Sequence, residues 1–329
     1  MAESEHEHLC RYSDEQGFTC DLESNDSGWC YWHDSSIIKD SPSDKEKLQE
    51  YARNGGMLRG ISLKHADLAG IDLVNHHHKH GFDLSHADFY RADLTNAHMF
   101  NTNLEYASLM KADLTEANLH NANMKHCNLL GIKWQSTKIK NIDIGDELTQ
   151  EIQARKAQDN YDLVLALDLF EQSEEIYRDL RKHAERAGMF KLSGRFIQKE
   201  LTMRRYQMKK PSLARLMSKV VDLFCGYGEE PLKVVNFSIG LILFCAVLYF
   251  FSGINFEGQQ YYFDASLPFT TNLNHFFSCV YYSVVTFTTL GYGDITPIGI
   301  SRLIAATEAF TGSFTIALFV VVFVKKMTR

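Results

Sequence analysis

A period of five residues runs from Phe82 onward and constrains the fold of this part of the chain. Thirteen consecutive pentads each carry an apolar residue at the central position. These central residues are Leu84, Phe89, Leu94, Met99, Leu104, Leu109, Leu114, Leu119, Met124, Leu129, Trp134, Ile139 and Ile144. A helix cannot explain the period, because a step of five residues drifts around a 3.6-residue turn and spreads the leucines over every face. Short regular repeats predict a solenoid whose units stack on one another.

The residues before each central position follow a consensus. A small residue stands two positions before it and aspartate or asparagine directly before it, as in Ala92-Asp93-Leu94, Ala112-Asp113-Leu114 and Ala117-Asn118-Leu119. This pattern resembles the pentapeptide-repeat family. The resemblance implies a right-handed quadrilateral β-helix over residues 58–145, in which four pentads form one coil and the central and small residues point inward.

An earlier trio of pentads extends the solenoid by nearly one coil. Residues 61–63, 66–68 and 71–73 repeat the pattern one residue out of phase with the later pentads. The slip falls within residues 76–80, His-His-His-Lys-His. Imidazoles titrate near neutral pH and bind transition metals, but we interpret this cluster as a polar corner loop. Residues twenty apart stack on one face, which aligns His86, Tyr106 and His126 in a ladder.

The N-terminal segment, residues 1–57, contains a candidate metal site. Cys10, Cys20, Cys30 and His33 have the spacing C-x9-C-x9-C-x2-H. Three cysteines and one histidine form a closed tetrahedral set for zinc, and a segment this short and polar would fold better around a metal. A cytosolic location argues against a disulfide. The spacings are longer than those of common fingers, so reduced thiols are the alternative, and His6 and His8 are alternative ligands.

Two apolar runs of membrane-spanning length lie in the last third of the chain. Residues 232–254 and 302–324 each reach the length of about 20 residues that a helix needs to cross the bilayer core. Between them, residues 274–287 form a shorter, aromatic-rich segment that suits a re-entrant pore helix. The pore domain, residues 232–329, is therefore predicted to have the order helix, half-helix, loop, helix.

The loop that follows the half-helix reads Thr288-Thr289-Leu290-Gly291-Tyr292-Gly293-Asp294. Potassium filters replace the hydration shell of the ion with rings of carbonyl oxygens from four chains. The two glycines tolerate the left-handed backbone angles that align successive carbonyls. We expect Tyr292 to turn outward and brace the loop against its own pore helix.

With its flanking segments, this loop resembles the filter of the two-transmembrane potassium channel family, over roughly residues 230–329. The resemblance implies that potassium binds to the carbonyls of residues 289–292 and to the hydroxyl of Thr289. Some family members pair a pore-helix glutamate with the aspartate after the filter, but Val285 stands at that position here. We therefore expect Tyr281 or Tyr282 to donate to Asp294, and inactivation behaviour cannot be carried over.

Candidate gating residues lie in the second span. Gly312 stands where the inner helix of the family carries a hinge glycine. Glu308 precedes it by one turn, and a charge in a membrane is costly unless it faces protein or water. We expect Glu308 to brace the pore helix through hydrogen bonds, with a gating role as the alternative. Below Gly312, the candidates for a hydrophobic gate are Thr315, Ile316, Phe319, Val320 and Phe323.

Basic residues flank both spans on one side, and cytoplasmic flanks are the basic ones. The segment between the spans, residues 255–272, contains no lysine or arginine. Both termini are therefore expected in the cytosol, and the filter is expected to open outward. Apolar residues at helical spacing within residues 211–231 predict an interfacial slide helix, with an ordinary soluble helix as the alternative. The flanking residues are Lys209, Lys210, Arg215, Lys219, Lys233, Lys325, Lys326 and Arg329.

Residues 146–210 change from the five-residue repeat to helical periodicity and are predicted to form a helical linker. The expected apolar stripe consists of Leu163, Leu167, Phe170, Ile176, Tyr177 and Leu180. This segment resembles the helical hairpin that often follows pentapeptide repeats in channel-linked proteins. Its position suggests a coupler, and a passive spacer is the alternative.

Composition alone describes a soluble protein, with a net charge of −7 and a mean hydropathy of −0.23. Because the N-terminus lacks the basic and apolar regions of a signal peptide, we expect the long N-terminal part to stay in the cytosol. The multidomain chain is thus predicted to be a homotetrameric potassium channel of the plasma membrane, a passive conductor and not an enzyme. A non-selective cation channel and a membrane-tethered pentapeptide scaffold are the alternatives.

The expected ions are potassium as the permeant ion and zinc as a structural ion. The expected partners are three further identical subunits, membrane lipids and an unidentified cytosolic regulator, without nucleic acid. The gating stimulus is not readable from the sequence.

Overall fold

A computed structural model describes residues 9–14, 17–76 and 78–328. The chain divides into two compact units, Met1–Met208 and Lys209–Arg329. The described residues of the first unit contain the repeats and four helices. The second contains both apolar runs, and each unit is described by itself.

The repeat region forms a four-sided β-helix. Parallel bridges join residues twenty positions apart, and four of them, Asp83 to Asn103, Asp88 to Ser108, Asp93 to Asp113 and His98 to Asn118, make up one coil. All thirteen central side chains are 7% exposed or less. The predicted stacking of the pentads is therefore confirmed, and the apolar core of the unit runs along the solenoid axis.

The polar consensus position shapes the corners of the coil. Every fifth residue adopts a left-handed backbone, for example Asn96 with φ of 57°. The side chain of Asp93 accepts a hydrogen bond from the amide of Thr95 at 2.9 Å, and Asp113 accepts one from Thr115 at 3.1 Å. Aspartate and asparagine recur before the central residue because such bonds stabilise tight turns.

The early trio and the ladder lie where the sequence predicts them. Ser62, Asp67 and Asp72 bridge to residues 26 positions later instead of twenty, so the chain inserts extra residues after the trio. His76, His78 and His80 in this insertion are exposed, whereas His77 lies outside the described residues. The rings of His86, Tyr106 and His126 stack at centroid distances of 5.0 and 4.8 Å, which confirms the ladder.

Helices flank the β-helix on both sides in the chain. The N-terminal segment begins with antiparallel bridges between Leu9 and Glu23 and between Ser13 and Thr19. It ends in α1 (Pro42–Arg53). After the repeats follow α2 (Thr149–Asp159), α3 (Leu163–Arg186) and α4 (Phe190–Gln207).

The apolar stripe predicted for α3 is partly wrong. Leu163 and Leu167 are 65% and 42% exposed. Leu163 is the first residue of the helix, and Leu167 lies one position off the buried face. That face contains Ala166, Phe170, Ser173, Tyr177, Leu180 and Ala184.

The second unit is helical with one small sheet. Its helices are α5 (Leu213–Cys225), α6 (Pro231–Ser252), α7 (Phe269–Phe287) and α8 (Ser301–Met327). The sheet consists of β1 (Ile254–Phe256), β2 (Gln259–Tyr261) and β3 (Ile295–Pro297). Its strands are antiparallel in the order β2-β1-β3. The sequence does not predict this sheet.

Helix boundaries differ from the predicted ranges for local reasons. Helix α7 starts five residues earlier than predicted, directly after Pro268, which is excluded from a helix interior but tolerated at its start. Helix α5 ends at Gly226, whose φ of 53° is left-handed. The slide segment 211–231 contains α5 from Leu213 to Cys225, a short 3-10 helix over Gly226–Gly228 and the first residue of α6.

Helices α6 and α8 are long and apolar enough to cross a membrane. Their most apolar stretches have mean hydropathies of 2.4 and 1.8. Only about a fifth of each stretch is buried within the chain, so these helices are not core helices of a soluble fold.

Candidate functional site

The loop after α7 has an alternating backbone. Thr289, Gly291 and Gly293 have φ values of 56°, 58° and 80°, so every second residue is left-handed. Alternation between left- and right-handed angles turns successive carbonyls toward one side of a chain. A β-branched residue such as Thr289 rarely adopts a positive φ, and the sequence pattern indicated this property only for the two glycines. Such strain is concentrated at functional sites.

Hydrogen bonds fix both ends of the loop to α7. The amides of Thr289 and Leu290 donate to the carbonyls of Thr286 and Val285 at 3.0 and 3.1 Å. At the far end, the hydroxyl of Tyr281 donates to Asp294 at 2.9 Å. Of the two tyrosines predicted for this role, Tyr281 is therefore the donor. Tyr282 is buried and packs edge-on against Tyr249 instead.

The loop is exposed to solvent in a single chain. Residues 289–294 are all exposed, with Leu290 at 58% and Tyr292 at 67%. Tyr292 is exposed in the single chain, so its expected role as a brace against its own α7 stays a prediction. The aromatic brace of this loop is Tyr281, since its hydrogen bond to Asp294 spans from α7 to the loop.

Glu308 is buried behind the loop. The hydroxyl of Tyr249 on α6 donates to one of its carboxyl oxygens at 2.6 Å. The hydroxyl of Ser283 on α7 forms a hydrogen bond with the other carboxyl oxygen and also contacts the carbonyl of Ile242 at 2.8 Å. One carboxyl group thus connects all three long helices of the unit. Tyr249 and Ser283 were missed because nothing in the sequence pairs them with a residue so far along the chain.

Gly312 makes a close backbone contact with α7. A Cβ atom at this position would lie 2.1 Å from the carbonyl oxygen of Phe287, the last residue of α7. The glycine lies within α8, which is helical from Ser301 to Met327. Glu308 and Gly312 therefore contact α7 at two successive turns, at Ser283 and Phe287.

The C-terminal half of α8, from Thr315 onward, has a buried and an exposed face. Thr315 is 1% exposed, and its hydroxyl donates to the carbonyl of Thr311, so this candidate lies on the buried face. Phe319 packs against Val322 and stacks on Phe323 at 5.6 Å. Among the other gate candidates, Phe323 is exposed, as are Ile316 and Val320.

The basic end of α8 contacts the turn that precedes α6. The ammonium of Lys325 donates to the buried carboxylate of Glu229 at 2.6 Å, and Lys326 donates to the carbonyl of the same residue at 3.2 Å. From the sequence, these lysines indicated only the orientation of the chain in the membrane. Their contacts fix the end of α8 to the segment between α5 and α6.

A second candidate site lies in the first unit. The ligand atoms of Cys10, Cys20, Cys30 and His33 all lie within 4.8 Å of one another, and all four residues are buried. The sulfurs of Cys20 and Cys30 are 3.8 Å apart, and the Nδ1 atom of His33 is 3.6 Å from the sulfur of Cys10 and 3.1 Å from that of Cys30. A tetrahedral zinc site with Zn–S of about 2.3 Å and Zn–N of about 2.0 Å has edges of roughly 3.5–3.8 Å. The cluster could therefore hold a metal ion.

The orientation of His33 suits this role. Its Nε2 atom lies 2.9 Å from the backbone carbonyl of Arg59 and must donate to it, which leaves the lone pair of Nδ1 facing the thiols. Burial lowers the pKa of His33, so the ring is neutral at physiological pH. Burial raises the pKa of the Cys30 thiol to about 12. His6 and His8 lie outside the described residues.

Two family models match this chain, one in each of its two units. Residues 237–329 match the family described as ion channel, and residues 80–105 and 92–131 match pentapeptide repeats. The chain therefore carries a two-transmembrane ion channel domain at its C-terminus and pentapeptide repeats in its N-terminal region. With two apolar helices of spanning length, it is a membrane protein. No curated protein matches the chain.

Several solved pentapeptide-repeat structures are similar to the repeat region. Rfr23 from the cyanobacterium Cyanothece 51142 is 28% identical over 27% of this chain and 59% of its own, with a TM-score of 0.15. HetL from Nostoc sp. strain PCC 7120, a protein involved in heterocyst differentiation regulation, is 24% identical over 26% of this chain and 37% of its own, with a TM-score of 0.18. The chain thus spans less than two thirds of either protein.

Proposed function

We propose that four copies of this chain form a potassium-selective channel whose filter is the loop from Thr288 to Asp294. The alternating backbone at Thr289, Gly291 and Gly293 supports this proposal most directly. Four such loops around an axis would present rings of carbonyl oxygens that replace the hydration shell of potassium. The channel conducts passively and has no enzymatic activity.

The exposed apolar side chains of α7 support assembly. Phe269, Leu273, Phe277, Tyr281 and Val284 lie on one face of the helix and are between 39% and 80% exposed. A short helix between two spans cannot present this face and an open loop to water or lipid without a partner. Further copies of the same unit would cover the face and place four loops around one axis.

We propose that gating uses the contacts of α8 with α7. Glu308 and Gly312 join the two helices directly behind the filter. A displacement of α8 would therefore reach the end of α7 and the loop that it anchors. The bulky residues nearer the cytoplasmic end, among them Phe319 and Phe323, would narrow the pore and close it by dewetting.

Hydrogen counting suggests that Glu308 is protonated. Ser283 has one hydroxyl proton but lies within hydrogen-bond distance of both Glu308 and the carbonyl of Ile242. A protonated Glu308 would donate to Ser283, which would then donate to Ile242. The carboxyl group would remain an acceptor for Tyr249. A neutral carboxyl also avoids the penalty of a buried charge in the membrane.

The channel is proposed to lie in the plasma membrane with both termini in the cytosol. The basic flanks support this orientation, since the lysines at the end of α8 and those before α6 would lie on the inner side. The pentapeptide repeats would then be cytoplasmic and able to modulate the gate through a cytosolic partner. Potassium is the proposed permeant ion, and zinc is the proposed structural ion at the Cys3His cluster.

Reconstituted vesicles with a potassium gradient test this function. We expect a reversal potential that follows the potassium gradient and does not follow sodium. Replacing Gly293, whose φ is 80°, by alanine should abolish the flux because alanine resists this backbone. Gly258→Ala is the matched control, since that glycine also has a positive φ of 84° but lies in the β1–β2 turn.

Different outcomes would separate the alternatives. A reversal potential that ignores the potassium gradient would favour a non-selective cation channel. The absence of any ion flux from an intact tetramer would favour the membrane-tethered scaffold.

A further inference from the structure

The N-terminal end of the β-helix is covered by a segment that is not part of the repeat. Within the solenoid, each coil donates backbone hydrogen bonds to the coil before it. The amides of Asp88, Asp93 and His98 donate to Ile61, Ala66 and Ile71 at 2.9, 2.9 and 2.7 Å. The first coil has no earlier repeat, so the equivalent amides of Ser62, Asp67 and Asp72 need other acceptors.

The N-terminal segment supplies all three acceptors. The amide of Ser62 donates to the carbonyl of Trp32 at 2.7 Å, and that of Asp67 donates to the carbonyl of Lys39 at 3.2 Å. The amide of Asp72 donates to the side-chain oxygen of Gln49 at 3.0 Å. Residues 32–39 and α1 thus occupy the place of a missing coil. We call this segment, residues 30–53, the cap.

The cap also closes the apolar end of the core. Leu48 and Ala52 of α1 are buried and belong to the same apolar cluster as Ile61 and Leu63 of the first coil. Solenoids need such a terminal element, because an open end exposes both apolar side chains and unpaired amides. The cap by itself is short, and only one of its elements is a helix.

The Cys3His cluster joins the cap to both of its neighbours. Cys30 and His33 belong to the cap, whereas Cys10 and Cys20 belong to the antiparallel hairpin that precedes it. His33 follows Trp32, which supplies the first acceptor, and its other ring nitrogen contacts Arg59 at the start of the coil. Arg59 in turn binds Asp14 of the hairpin and Asp83 of the next coil, each at 2.7 Å.

A buried cation lies beside the cluster. The side chain of Lys39 is fully buried, and its ammonium donates to the carbonyl of Asp34 at 2.6 Å, directly after the ligand His33. Zinc with three thiolates and a neutral imidazole carries a net charge of −1. The positive charge of Lys39 complements it electrostatically.

We infer that Cys10, Cys20, Cys30 and His33 bind one zinc ion, which clasps the cap onto the first coil of the β-helix. The inference rests on the proposed zinc occupancy and not on ion conduction. Zinc is the ion suited to a closed, buried set of three sulfurs and one nitrogen. Removal of the ion would release the cap and leave the three amides of the first coil unpaired.

Elemental analysis and hydrogen exchange on the purified full chain test the two parts separately. We expect one zinc ion per chain, and cobalt exchanged into the site should show the absorption bands of tetrahedral thiolate coordination. Cys20→Ser should lose the zinc. Cys127→Ser, which replaces a buried thiol outside the cluster that donates to Leu104 at 2.8 Å, should retain it.

After chelation of the metal, amides 62, 67 and 72 should exchange at least ~10-fold faster, because the cap becomes a locally unfolding segment. Amides 113 and 118 in the middle of the solenoid should not change, and added zinc should restore the slow exchange. A chain purified without zinc that also rejects added zinc overturns the occupancy. A zinc-loaded chain whose first coil exchanges at the same rate after chelation overturns the clasp alone. Because these measurements use the wild-type chain, a Cys20→Ser variant that fails to fold does not obscure them.

Discussion

The β-helix completes its packing within one chain. The second unit, Lys209–Arg329, which we call the pore unit, does not. The central side chains of all thirteen pentads are buried, and the polar residues of the coils bond to their own turns. In the pore unit, the loop of residues 289–294 is exposed together with an apolar face of α7. A region that buries its own core can fold alone, whereas the exposed apolar face of α7 would need a partner to cover it.

Residues with a left-handed backbone also have different roles in the two regions. In the β-helix, Asn96 and its equivalents turn the corner of each coil, and bonds such as that from Thr95 to Asp93 stabilise the turn. In the loop after α7, Thr289, Gly291 and Gly293 have a positive φ at every second position, and the loop is exposed. The same backbone angle closes a coil in one region and, under the proposed function, presents carbonyl ligands in the other.

The largest effect is expected at Gly312 in the pore unit. In Gly312→Ala, the new Cβ would lie 2.1 Å from the carbonyl oxygen of Phe287, so α8 must move away from α7. Potassium flux in vesicles should fall by ~10-fold or more, because overpacking costs about 1–3 kcal/mol and about 1.4 kcal/mol corresponds to a tenfold change in an equilibrium. Gly240→Ala is the control, because a Cβ there meets nothing within 4 Å. Equal flux from both variants would show that the close contact has no role.

The next largest effect is expected at Glu308, where two variants distinguish a protonated carboxyl group from an ionised one. Glu308→Gln keeps one acceptor for Tyr249 and one donor for Ser283, so flux and tetramer stability should stay close to those of the natural chain. Glu308→Ala leaves both hydroxyls without this partner and removes the link between α6, α7 and α8. Its tetramer should dissociate at lower temperature, as measured by size-exclusion chromatography after heating in detergent. A glutamine variant as unstable as the alanine variant would indicate that the carboxylate is ionised.

A smaller effect is expected in the core of the β-helix. Leu104→Ala should lower the free energy of unfolding of the first unit by about 2–5 kcal/mol, since the side chain is fully buried. All three tryptophans of the chain, Trp29, Trp32 and Trp134, lie in this unit, so tryptophan fluorescence during denaturation reports it selectively. Leu243→Ala on the exposed side of α6 should leave this transition unchanged. A shift of similar size in both variants would contradict the independence of the two cores.

The smallest effect is expected at the corners of the coil. Asn96→Ala should destabilise the first unit by about 1 kcal/mol, because alanine lacks the local hydrogen bonds that help asparagine adopt a left-handed backbone. Asn96→Gly should be close to neutral in the same fluorescence measurement. The reverse order of the two variants would mean that the side chain, and not the backbone angle, determines the preference for asparagine.

Sequence patterns predicted those features that depend on neighbours in the chain. The five-residue period identified the solenoid, because every central residue is buried by the same repeated geometry. The lengths of the apolar runs predicted the two spanning helices, and the Cys3His composition predicted a cluster that the fold brings together. Helix ends were less accurate, since Pro268 and Gly226 decided them locally.

The tertiary structure alone decided the contacts between distant segments. No periodicity links Glu308 to Tyr249 and Ser283, Gly312 to the carbonyl of Phe287, or the cap to the first coil. These contacts depend on how close two backbones approach and which polar group lacks a partner there. The sequence alone therefore determined the repeat, the spans and the loop, whereas packing decided that Gly312 is a contact point and that residues 30–53 replace a coil. Local patterns record the period and polarity of an element, but only the folded chain fixes the distances between elements.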